Sequence, residues 1–140
     1  MADADATLWV EVVSADGRVW EGEALSVVAR TTEGDIGILP RHEPVLSVLV
    51  PSAAEILTTK NEREIVAVDG GFLSVHDNRV SLLSQYAKLA KSISLAEAEV
   101  ELAKATLAME QGSIDDETQR HFNRASAQVR AAQKAARGNR

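Results

Sequence analysis

Glu64-Ile65-Val66-Ala67-Val68-Asp69-Gly70-Gly71-Phe72-Leu73-Ser74-Val75 holds the decision about the fold. Residues 64–68 and 72–75 are rich in β-branched and aliphatic side chains. Asp69-Gly70-Gly71 between them reads as a hairpin turn with glycine at positive φ. The same grammar extends in both directions. Upstream, residues 7–13 end at Asp16-Gly17, and residues 19–31 set Leu25, Val27 and Ala29 against Ser26, Val28 and Arg30. Pro40 closes 36–39, Pro51 closes 45–50, and a polar turn at 60–63 links 54–58 to 64–68. Downstream, Asp77-Asn78 turns the chain into 80–83. Runs of this length and spacing predict an antiparallel β-sandwich of about 8–10 short strands over residues 1–92.

From Ile93 the pattern changes. Proline disappears and alanine dominates. Ser94 with Glu97 three residues on is a capping box that opens a helix. Gly112 closes it as a C′ residue, Asp115 or Asp116 opens a second, and Gly138 stops that one. The short loop between them predicts an antiparallel two-helix hairpin over residues 93–140. The fold class is thus α+β, a sandwich domain followed by a hairpin. At about 100° per residue, Leu95, Ala98, Leu102, Ala105 and Met109 form one stripe of the first helix, and Ala96, Val100, Ala103 and Leu107 a second. The second helix shows one stripe, Phe122, Ala125, Val129, Ala132 and Ala136. The first helix therefore has two faces to cover: one on the second helix, the other on the sandwich or another protein.

The chain has 140 residues, 45% hydrophobic and 26% charged, which excludes disorder over its whole length and suits one domain with an appendage. With no cysteine there is no disulfide frame, thiol nucleophile or cysteine zinc site. The net charge of −6 argues against a nucleic-acid partner. The acidic opening lacks a signal peptide's basic and apolar regions, and no run is long enough to span a bilayer, so a soluble cytoplasmic protein is expected. Charge is divided: residues 1–93 carry 8 basic and 14 acidic side chains, residues 94–140 carry 7 of each. Arg120, Arg124, Arg130 and Lys134 share one face of the second helix. They are a solvated surface or a docking face for an acidic partner.

Catalytic patterns are weak. His42 beside Glu43 sits on a loop between Pro40 and Pro44, without an oriented partner. A small enzyme using these two would need a concave pocket converging on them. Asp69-Gly70-Gly71 lacks a phosphate-loop pattern and opens no helix. The three histidines lie far apart and form no metal-ligand pair.

Two motifs carry a family resemblance over the whole chain. Glu33-Gly34-Asp35-Ile36-Gly37-Ile38-Leu39-Pro40-Arg41-His42-Glu43-Pro44-Val45-Leu46 resembles the GELGILPGHxPL signature of the ε subunit of F-type ATP synthases, δ in mitochondria. Residues 69–75 resemble that family's second signature, and Trp9 to Trp20 its first two strands. The chain departs at Arg41, where glycine is usual, which predicts an altered loop backbone.

The resemblance implies a non-catalytic central-stalk subunit bound to γ and the c-ring, peripheral to the cytoplasmic face of a bacterial inner membrane. It implies c-ring contacts at Glu33, Asp35 and His42. It also implies a hairpin that either folds on the sandwich or extends along γ and inhibits ATP hydrolysis. In the extended state Arg120, Arg124, Arg130 and Lys134 would meet acidic loops of the catalytic β, and α, subunits. Some members bind ATP through an [IL]-D-x-x-R-A motif. Here Ser94 stands for the Asp, Glu97 for the Arg, and Gln128 for a second downstream arginine; only Arg124 matches. A glutamate facing triphosphate repels it, so weak or absent ATP binding and no cofactor are expected. The alternative is a free-standing β-sandwich adaptor whose basic helix docks an acidic protein.

Overall fold

The computed structural model describes residues 6–138; residues 1–5 and 139–140, with Arg140 of the basic tail, lie outside the described residues. The strands are β1 (Leu8–Ser14), β2 (Gly17–Thr31), β3 (Gly34–Ile38), β4 (Val45–Thr58), β5 (Arg63–His76), β6 (Arg79–Leu83) and β7 (Ala87–Leu89). β1 pairs with β6, β6 with β5, β5 with β4 and β4 with β2, and β2 returns to β1, which closes the sheet around one core. Among the described residues only the β1–β6 pairing is parallel; β3 and β7 flank β2 and β5. Leu8, Val10, Val27, Ile56, Leu73 and Leu82 are fully buried in that core. At roughly 25 cal/mol per Å² of apolar area, such burial is the main cohesion of the domain.

Seven strands replace the larger predicted number, because two predicted breaks are not breaks. β4 runs through Pro51, and β5 runs through Asp69-Gly70-Gly71. The two interruptions face each other: Pro51 pairs with Asp69 and Leu49 with Gly71. Both strands change phase there. Before the glycines Val66 and Val68 point into the core, and after them Leu73 and Val75 do. In β4 the core residues pass from Leu49 to Ala54 and Ile56. Positive φ values of 123° at Gly70 and 108° at Gly71 allow this shift without losing register. Asp69-Gly70-Gly71 is therefore a bend within a continuous strand, not a hairpin turn.

Other turns follow their chemistry. Asp77 and Asn78 both take positive φ in a two-residue connection between β5 and β6, as a type I′ turn requires. The His42 N–H donates to the Leu39 carbonyl, closing a turn with Pro40 second and Arg41 third. Arg41 has φ 73°, the left-handed backbone that glycine would take there. The departure from glycine thus leaves the positive-φ turn in place. The Asn78 side-chain oxygen holds it by accepting the Arg41 N–H at 2.6 Å.

A 3-10 turn, Ala90–Ser92, leads to α1 (Leu95–Glu110) and α2 (Asp116–Gly138). Ser94 caps α1, accepting the Glu97 N–H. Gly112, at φ 94°, ends it in a Schellman motif: Ser113 N–H reaches the Ala108 carbonyl and Gly112 N–H the Met109 carbonyl. Asp115 caps α2 by accepting the Thr118 N–H at 2.7 Å, which holds its carboxyl below the usual range. α2 continues through Gly138, the last described residue, so a stop there is not seen.

The order of layers differs from expectation. α2, not α1, is the middle layer, packing on β4, β5 and the 3-10 turn while α1 packs on α2. α2 therefore has a second apolar line, Ala127, Ala131 and Ala135, seated on Ile65, Ala67 and Ala90. Ala98 and Ala105 of α1 are buried against α2. The other α1 stripe faces solvent, with Val100 52% and Leu107 54% exposed.

Candidate functional site

Asp69 is the joint between sandwich and hairpin. Its side chain is 8% exposed and receives three donors: Ser84 Oγ at 2.9 Å, the Tyr86 N–H at 3.1 Å and Arg124 Nε at 3.0 Å. The Arg124 guanidinium lies over the Tyr86 ring at 5.4 Å from its centroid, and the Gln128 side-chain amide donates to the Tyr86 hydroxyl. A carboxylate in this position needs these donors, because burying a charge without partners costs several kcal/mol. The bend at Gly70-Gly71 places Asp69 at the surface of the sandwich where α2 crosses.

Burial pushes the Tyr86 hydroxyl above the ordinary tyrosine pKa. The Gln128 hydrogen bond and the Arg124 charge pull it back, and the Asp69 carboxylate adds to the rise. A raised folded value means the neutral phenol contributes stability below the unfolded pKa, and the contribution is lost as pH rises through the folded value. Tyr86 is the chain's single tyrosine, so phenolate absorbance reports it alone. The expected midpoint lies above about 10, and it returns toward that value in a variant whose hairpin is undocked. An unshifted midpoint in the native chain counts against the packing of Tyr86 under α2.

The predicted basic face does not stand free. Arg124 binds Asp69, and Lys134 Nζ lies 3.7 Å from Glu55, whose carboxylate also accepts two Arg63 donors at 2.8 and 3.1 Å. The Arg63 hydrogen bonds, with Lys134 adding its charge, hold the Glu55 carboxyl below its usual range against the opposing effect of burial. That contribution is present above the unfolded pKa and disappears in acid. Arg120 lines a cleft with Asp69 and Gln85; Arg130 lines one with Arg30 and Asp35. In this state the stripe faces acids of its own sandwich.

The predicted loop residues are spread out. Glu33 is exposed in the β2–β3 turn, and His42 lies beyond the opposite end of β3, which at about 3.3 Å per residue separates them by more than 13 Å. Asp35 is bound by the Arg30 fork at 2.8 and 3.4 Å, which holds its carboxyl low. His42 Nδ1 lies 2.7 Å from the Glu43 carbonyl oxygen, and the surface clefts described here are lined by other residues. Among the described residues no group of three His, Cys, Asp or Glu side chains is placed to hold a metal.

One surface was not found by sequence reading. Val48, Phe72 and Leu83 sit side by side across β4, β5 and β6, since Val48 pairs with Phe72 and Phe72 with Leu83. Phe72 is 50% exposed, and Leu46 on the same edge is 72% exposed. A contiguous apolar ribbon of this kind marks an interaction surface. Alternation alone hides it: Phe72 keeps the phase of Val66 and Val68, and it faces outward because the strand changes phase at Gly70-Gly71, so that Leu73 and Val75 point into the core.

Comparison with known proteins agrees with this architecture. The β-sandwich domain of the ATP synthase delta/epsilon chain matches residues 7–90. The chain is 51% identical to the ATP synthase epsilon chain of Cutibacterium acnes over 92 residues, 65% of this chain and 63% of that one. It is 51% identical to that of Streptomyces avermitilis over 100 residues, 71% and 81% of the two chains. A chain in the Euglena gracilis mitochondrial ATP synthase structure superposes with TM-score 0.72 at 21% identity, covering 94% of this chain and 81% of that one. One in the Tetrahymena thermophila central stalk and c-ring structure gives 0.56 at 21%, covering 91% and 95%. Sandwich sequence and whole-chain fold point the same way: the chain belongs to the ATP synthase delta/epsilon family, as a non-catalytic, epsilon-type subunit.

Proposed function

We propose that this chain is a rotor subunit of a proton-translocating F-type ATP synthase, bound to the γ subunit through the Val48–Phe72–Leu83 ribbon. The ribbon carries the reading. It is apolar, spans three paired strands, and stays exposed with the hairpin docked. Buried ring and aliphatic side chains of this kind dominate binding energy at protein interfaces. The Glu33 turn and the His42 loop supply polar contacts to the c-ring, and Asp35 joins them by giving up its Arg30 pair. Among the described residues no helix is long and apolar enough to cross a membrane, which fits peripheral attachment through the complex at the inner face of a bacterial membrane. The hairpin regulates ATP hydrolysis by leaving the sandwich, which releases Arg120, Arg124, Arg130 and Lys134 for acidic loops of the catalytic subunits.

The test is co-expression with γ. The native chain should co-purify stoichiometrically. Phe72→Glu with Leu83→Glu should keep the sandwich's circular dichroism and weaken γ binding by at least about 100-fold, as loss of interface anchors does. Full γ binding by the double variant would sink the assignment of this face, and no γ binding by the native chain would sink the rotor reading itself.

A further inference from the structure

The C-terminal half of α2 meets β2, β3 and β4 around a surface cleft of about 250 Å³. Its lining includes Arg130, Lys134 and Arg137 of α2, Arg30 of β2, and the single carboxylate Asp35. The Arg30 fork already neutralises Asp35, and Lys134 is shared with Glu55. No ion pair engages Arg130 or Arg137 among the described residues. Docking α2 thus brings three cations, one or two turns apart on one helix face, against a fourth on the sandwich. Two of the four, Arg130 and Arg137, have no acidic partner among the described residues, and the two ion pairs of Arg30 and Lys134 leave the cleft with a net positive charge.

We infer that this cleft is a binding site for a compact polyphosphate anion, which bridges α2 to the sandwich. Two features set the ligand class. Residues 130 and 137 are about 10 Å apart along the helix axis, too far for one phosphate and suited to two or three linked phosphoryl groups. Arginine forks match phosphate oxygens in a bidentate way, and the cleft draws Arg30 from β2 and Arg130 from α2. The remaining walls are Val28, Ala29, Ser52, Ala53 and Gln133, with no aromatic ring to stack a base. The site therefore reads phosphates and ignores a nucleoside. It lies on a different part of α2 from Arg124 and Gln128. The inference rests on the docked position of α2, and not on the rotor assignment.

Isothermal titration of the full chain at low salt, with tripolyphosphate as probe, tests it. One saturable site is expected. Arg130→Ala with Arg137→Ala, both on an exposed helix face, should weaken it at least about tenfold, and Lys104→Ala on α1 should not. Inorganic phosphate should bind at least about tenfold more weakly, and ATP no more tightly than tripolyphosphate, because charge alone selects. Raising salt should weaken binding steeply. The inference is overturned by the absence of saturable binding, by binding indifferent to Arg130 and Arg137, or by a clear preference for ATP. Unaltered γ binding by the Arg130, Arg137 variant separates this result from the rotor reading.

Discussion

Replacing Gly71 with alanine should cost about 3–5 kcal/mol of stability, among the largest single effects in the chain. Two terms add. The φ of 108° is a backbone that L residues rarely adopt. In addition, a Cβ placed there would lie 1.9 Å from the Leu83 carbonyl oxygen and 2.9 Å from Ser84 Cα. Those are backbone atoms of the β6 end, held by pairing with β5, so no rotamer change relieves them. Gly70→Ala keeps the strain, at φ 123°, but its Cβ would meet only the Leu49 carbonyl at 3.6 Å, an ordinary contact. Its expected cost is about 1–2 kcal/mol. Gly37→Ala has open space and no positive φ and should be nearly silent. Thermal or denaturant unfolding reads the order: Gly71 far above Gly70, Gly70 above Gly37. A 4 kcal/mol loss corresponds to a Tm drop of roughly 15 °C or more. If Gly71→Ala and Gly37→Ala unfold together, the bend is not what positions Asp69.

The same bend explains what sequence reading could reach. Alternation is a local signal, and it identifies each half of β4 and β5 correctly. It cannot show that the halves join, because the phase change at Pro51 and at Gly70-Gly71 looks the same as a turn. The helix ends were legible, since Ser94, Gly112 and Asp115 act through hydrogen bonds to their own neighbours. The layer order was not. Ala127, Ala131 and Ala135 form a docking line that no scale of side-chain size would pick out. The complementary signal lay in β5, where Ile65, Val66, Ala67 and Val68 are all buried. Four successive buried residues mean that both faces of the strand are covered, here by core and by α2.

The candidate site was half legible. The basic stripe of α2 could be read from spacing, but not which acids it meets. Asp69 precedes a glycine pair and draws attention as a turn residue, whereas its role depends on Arg124, 55 positions later. The apolar ribbon joins residues from three strands, so it exists only once register is known. The resemblance supplied partners that geometry alone does not name, and its motifs cover the sandwich far better than the hairpin.

The hairpin yields the second large effect, with opposite signs for two changes. The α2 seam is made of alanine, so its adhesion is modest, and the Asp69–Arg124 bond adds on the order of 1–3 kcal/mol. A docked state favoured by a few kcal/mol can be tipped by one side chain. Ala131 is fully buried, and leucine there forces three extra carbons between α2 and Ile65. Overpacking of this kind costs about 1–3 kcal/mol, all of it charged to the docked state, and shifts the balance toward release by roughly 5–150-fold. If release is the inhibitory event, Ala131→Leu in the assembled enzyme lowers ATP hydrolysis. Deleting residues 94–140 removes the inhibitor and raises it, although both changes uncover the same face of the sandwich. A stabilising role for the hairpin makes the two changes act alike; a regulatory one makes them diverge. Parallel effects on hydrolysis, or none, would therefore remove the hairpin from regulation and leave it as a cover for Ile65, Ala67 and Asp69.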